Sequence, residues 1–144
     1  MPKENPLNNK LLAKASAKKL NELFAGLLSE KNEGLKPEDL HKTLGLLSGL
    51  LAVLVERRNK GEEQLTLESI ANYLKDLNEL HKLATGELGI YSKRNMKALE
   101  SGLAGMGWLR TAKFKHQPQH FFEQIERANA YLKPVFEQTA KEEE

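Results

Sequence analysis

Apolar residues recur three and four positions apart along most of this chain, and they alternate over only one short stretch. Leu12, Ala15, Leu20, Leu23, Phe24, Leu27 and Leu28 draw one apolar stripe, predicting a helix over residues 7–29. Pro37 opens a second run, followed by Glu38 and Asp39, which suit the positive end of a helix dipole. From Leu40 to Val55 that run is apolar nearly all round, which assigns the helix 37–59 to the centre of a bundle. Gly45 and Gly49, one turn apart, would let another helix approach it closely. Thr66 is a good N-cap for a third helix over 66–84, with Leu67, Ile70, Leu74, Leu77, Leu80 and Leu83 on its buried face. Ser92 caps a fourth over 92–106, carrying Met96, Leu99, Leu103 and Met106. After Pro118 a fifth spans 119–138, where Pro134 is expected to kink or locally break it. Only residues 108–114 alternate well enough for a short strand.

The expected fold is therefore mainly α: one domain, residues 1–144, of about five helices in a compact bundle, with at most one short β-hairpin near 108–115. Leu, Lys, Glu and Ala dominate, a composition that favours helices over sheets. Neither a linker nor an internal repeat divides the chain.

Charge changes the picture by its distribution. A net charge of +2 conceals about +4 over residues 1–60, −4 over 61–90, +5 over 91–116 and −3 over 117–144. Residues 91–116 hold Lys93, Arg94, Lys97, Arg110, Lys113 and Lys115 against the single acid Glu100, a local basic patch that favours phosphate backbones. Lys10, Lys14 and Lys18 sit four apart on the first helix and read as a solvated face.

Several classes of function drop out. Without cysteine there is no disulfide, thiol catalysis or Cys-based zinc site. His116 and His120 are spaced like helix-borne metal ligands, but Pro118 lies between them and no acid is nearby, so no metal is expected. No phosphate loop, nucleophile elbow or HExxH motif occurs, and the paired acids lie where water solvates them. An enzyme is not expected, nor is a cofactor. The longest apolar run, Leu44 to Val55, falls well short of the roughly twenty residues a bilayer needs, and the N-terminus has no signal-peptide pattern. The expected compartment is the cytoplasm.

Three segments carry a likeness. Leu65 to Leu74 resembles the first helix of a helix-turn-helix, the run SKRNMKAL from Ser92 resembles its recognition helix, and Gly105 to Arg110 resembles the passage into a wing. Residues 65–115 thus resemble the winged-helix branch of the helix-turn-helix DNA-binding superfamily. Seventeen residues separate Leu74 from Ser92, far beyond the usual three- or four-residue join, so the extent of the third helix matters. The resemblance implies a small DNA-binding protein of plasmid, phage or bacterial regulatory or replication type, which inserts the 92–106 helix in the major groove of double-stranded DNA. Ser92, Lys93, Arg94, Asn95 and Lys97 would then meet phosphates or bases, while Arg110, Lys113 and Lys115 would track the backbone. The competing expectation is a helical protein-interaction module, an adaptor or inhibitor without a nucleic-acid role. In either case the glycine-notched 37–58 helix offers a seat for a second copy or a protein partner.

Overall fold

The structure, a computed structural model, describes residues 7–143, with side chains to residue 137. Seven α-helices and one 3-10 turn make up the described chain: α1 (Asn9–Leu12), α2 (Ala17–Lys31), α3 (Pro37–Asn59), α4 (Leu67–Lys75), α5 (Leu77–Thr85), α6 (Lys93–Ala104) and α7 (Gln119–Glu143), with the 3-10 turn at Phe114–His116. The mainly α bundle expected from the periodicity is present. Two of the five expected helices are split, and no strand occurs among the described residues.

Both splits follow from capping. Ser16 leaves helical geometry and its hydroxyl accepts from the Lys19 N–H, starting α2 afresh. The turn between α1 and α2 is held by Arg58, whose guanidinium donates to the Leu12 and Ala15 carbonyls at 2.8 and 2.7 Å. These are carbonyls that the end of a short helix leaves without partners. In the third run Asp76 adopts φ −94° and ψ 84°, and its carboxylate caps α5 through the Glu79 N–H. Asn129 on α7 donates to the Leu74 carbonyl at 2.9 Å, tying down the end of α4. Apolar residues nevertheless stay buried on both sides of each break, Leu12 and Leu20 at the first and Leu74 and Leu80 at the second.

The expected strand fails for want of a partner. Residues 108–112 turn back, and the buried amide of Gln117 takes the place of a neighbouring strand. Its Oε1 accepts from the Leu109 N–H, while its Nε2 donates to the carbonyls of Leu109 and Ala112. One side chain thus satisfies the backbone groups that a second strand would have paired. Pro134 does not end α7, which continues to Glu143.

Helix α3 lies at the centre, as its all-round apolar surface requires, between α2 on one side and α6 on the other. Helix α7 packs across α2 and α4. At its N-terminal end α3 is tied to α7 by Asp39, which accepts from the Tyr131 hydroxyl at 2.8 Å and pairs with Arg127 at 3.3 Å. Helices α3 and α6 cross backbone to backbone. A Cβ built on Gly49 would lie 2.6 Å from the Leu99 Cα, and one on Gly102 would lie 3.0 Å from the Leu46 Cα. The notched face expected to seat a second copy or partner is therefore occupied by α6 of the same chain.

Candidate nucleic-acid interface

Helix α6 is an edge element, so its two faces differ. Leu99, Gly102 and Leu103 are buried on the inner side, and Asn95 and Ala98 are half-buried. By the helical repeat, Lys93, Arg94, Lys97, Ser101 and Ala104 fall on the outer side, and all five are exposed. Lys93, Arg94 and Lys97 form no ion pair with any described residue. Three cations thus project from one face of a helix whose back is fixed against the core.

The start of α6 is occupied from within. Ser92 caps the helix, accepting from the Asn95 N–H at 3.4 Å. The Ser92 N–H itself donates to both carboxylate oxygens of Glu56, at 3.1 Å each, and the Asn95 side-chain amide donates to Glu56 Oε1 at 2.7 Å. Lys60 completes the cluster, 3.2 Å from Glu56. Burial works to raise the Glu56 pKa, but the hydrogen bonds from Ser92, Asn95 and Lys60 outweigh it and hold the carboxyl below its ordinary value. A protein carboxylate therefore lies at the helix end where a phosphate was expected, and Asn95 faces the core side rather than a groove.

Just before Ser92, Tyr91 is buried and fixes the chain's entry into α6. Its hydroxyl donates to Glu62 at 2.6 Å and accepts from Arg57 Nη1 at 2.5 Å. Arg57 also binds Glu63 through Nε at 3.0 Å, and the Tyr73 hydroxyl donates to the same Glu63 oxygen at 2.8 Å. Burial, then the bond to Glu62, push the Tyr91 pKa up, and burial with Glu63 does so more strongly for Tyr73. Both phenols stay neutral donors. Tyr91→Phe should cost about 1–2 kcal/mol in urea unfolding, because it strips Arg57 and Glu62 of a shared partner in a half-buried network.

The remaining cations are spread more widely. Arg110 is exposed and turns back to Glu100 on α6 at 3.4 Å. Lys113 and Lys115 are exposed on either side of Phe114, whose ring packs edge-on against His81 of α5 and Phe122 of α7. Trp108 is buried and donates from Nε1 to His81 Nδ1 at 3.1 Å. The structure thus brings Lys93, Arg94 and Lys97 onto one face, sets Arg110 beside the C-terminal half of that helix, and anchors Lys113 and Lys115 on α5 and α7. No spacing in the sequence links Glu56 to Ser92, or Arg57 to Tyr91, so both contacts were missed. No group of three His, Asp or Glu residues converges as metal ligands, and no helix is long and apolar enough to cross a membrane, among the described residues. Comparison with known proteins found no matching family model, curated protein or solved structure.

Proposed function

We propose that this protein is a non-enzymatic DNA-binding domain that holds duplex DNA chiefly by its phosphates, through the outer face of α6. One observation carries the reading: Lys93, Arg94 and Lys97 stand exposed and without ion pairs among the described residues on a helix whose other face is buried against α3. Unneutralised cations on a preformed ridge release phosphate counterions without first breaking internal pairs. In this reading α4, α5 and α6 form the helical part of a winged-helix-like unit. The segment 108–116 takes the place of the wing, offering Lys113 and Lys115 to the backbone without strands.

The engagement of Asn95 by Glu56 narrows what the site can read. Base contacts fall to Arg94 and the two lysines, so positioning on phosphate outweighs sequence readout.

Fluorescence anisotropy with a labelled random-sequence duplex tests the proposal. The wild type should bind with a Kd of about 1–100 µM at moderate salt. A Lys93→Glu/Arg94→Glu/Lys97→Glu variant should lose at least about tenfold, while Lys14→Glu/Lys18→Glu, in the α1–α2 turn and on α2, should change little. Equal losses in both variants would reduce the effect to net charge and reject α6 as the site.

A further inference from the structure

Ile90 is the most exposed large hydrophobic residue among those described, at 85 %. Single exposed apolar residues are ordinary on a protein surface; what sets Ile90 apart is its support. The chain is pinned on both sides of it. Arg57 donates from Nη1 to the Leu88 carbonyl at 3.4 Å, and the Gly89 N–H donates to the Gly86 carbonyl at 3.2 Å. Gly89 passes so near the Tyr91 hydroxyl that a Cβ there would lie 2.7 Å from it. Tyr91 itself is buried and bonded to Glu62 and Arg57. Ile90 therefore stands on a short loop held at each end, and its β-branch leaves it few rotamers.

Its neighbours are the cations of the outer face of α6. Ile90 comes two residues before the Ser92 cap and three before Lys93, so at most about 11 Å separates its Cα from that of Lys93. It shares a surface hollow of about 290 Å³ with Met96 and Glu100 of α6. By the helical repeat, Lys93 and Lys97 are the next residues round the helix from those two. Ile90 thus stands at the edge of the outer face, on the side of Lys93 and Lys97, where DNA held by that face would pass. A stiff apolar projection beside phosphate contacts is the arrangement that unstacks a base step: the backbone contacts hold the duplex and the projection bends it.

We propose that Ile90 is an intercalating wedge, which enters between two adjacent base pairs of the duplex gripped by α6 and kinks it. The wedge rests on the DNA binding proposed for α6, whose phosphate contacts supply the hold. Isoleucine makes no hydrogen bond to a base edge, so it selects steps by how readily they open, pyrimidine–purine steps before others. The site thereby gains a preference for deformable DNA that Lys93, Arg94 and Lys97 alone would not provide.

A short duplex with a donor dye at one end and an acceptor at the other reads the bend, and a 2-aminopurine at its central TA step reads the unstacking. Saturating wild type should raise both energy transfer and 2-aminopurine fluorescence. It should also bind a duplex with one central mismatch about fivefold tighter than the matched one, because a mismatched step opens more easily. Ile90→Ala removes an exposed side chain, so it should melt like the wild type. It should keep the salt slope of the matched duplex but lose both optical signals and the mismatch preference, which Ile90→Leu should largely restore. Salt-dependent binding by the wild type without bending or unstacking would overturn the wedge and leave the phosphate grip standing. Bending that is unchanged in Ile90→Ala would do the same. No duplex binding by the wild type would overturn both. A wild-type dimer that Ile90→Ala returns to monomer in sedimentation would give the side chain to a second copy instead.

Discussion

Gly102→Ala is expected to lower the melting temperature by roughly 4 °C, although alanine is the better helix former by ~1 kcal/mol. The added Cβ would press on the Gly45 carbonyl and lie 3.0 Å from the Leu46 Cα, both backbone atoms. No rotamer change relieves a backbone clash, so α3 and α6 must part where their backbones meet. Overpacking of this kind costs about 1–3 kcal/mol and at times more, which exceeds the gain in propensity. Gly49→Ala should behave alike, its Cβ falling 2.6 Å from the Leu99 Cα. Gly26→Ala is the internal control. It lies on the exposed side of α2 with nothing within 4 Å of the new Cβ, and should raise stability by about 0.5–1 kcal/mol. Thermal melts of the three variants decide the matter: Gly102→Ala and Gly49→Ala no less stable than wild type would mean that the helices do not cross this closely.

Glu56→Gln is expected to move stability and DNA affinity in opposite directions. Glutamine can still accept from the Ser92 N–H, but the charge-assisted bonds to Ser92, Asn95 and Lys60 become neutral ones, at a cost of about 1 kcal/mol. The same change removes a negative charge from the N-terminus of α6, beside Lys93 and Arg94. Duplex affinity should rise by up to about fivefold, the equivalent of ~1 kcal/mol of relieved repulsion. A pH dependence follows. The Glu56 carboxyl is held below its ordinary value of 4.5 when folded. Its contribution is thus fully present above about pH 4.5 and lost as pH falls through the lowered folded value. Melting curves of the glutamine variant should be flatter than wild type across that acid range. A variant that loses both stability and affinity would show that Glu56 assists the DNA contact instead of opposing it.

Much of this architecture could be read in the chain because helix burial writes a 3.6-residue period. The all-round apolar surface of α3 placed it centrally, Thr66 and Ser92 announced their helices, and Gly49 announced a close neighbour, whereas a Cβ on Gly45 would meet nothing within 4 Å. The breaks at Ser16 and Asp76 were harder to see. Both residues are strong N-caps, yet the apolar stripe continues past them, so periodicity alone joined what capping divides. The strand was misread because Trp108 to Phe114 alternates locally, whereas a strand needs a partner, and Gln117 supplies that pairing from a side chain. At the site, the exposure of Lys93, Arg94 and Lys97 follows from their place on an amphipathic helix. What occupies the start of that helix does not. Glu56 sits 36 positions before Ser92 and reads locally as an acid among Arg57, Arg58 and Lys60. Only the docking of α6 along α3 brings it to the helix end, and that same docking turns Asn95 from a base reader into a structural donor.

The most direct measurement is the salt dependence of duplex binding. With Lys93, Arg94, Lys97, Lys113 and Lys115 each neutralising one phosphate, log K should fall against log salt with a slope of about −4.5, or about five-hundredfold between 50 and 200 mM. Reversing the three α6 charges should make that slope shallower by about 3. A slope near zero in the wild type, or one that the reversal leaves unchanged, would contradict a phosphate grip by the outer face of α6.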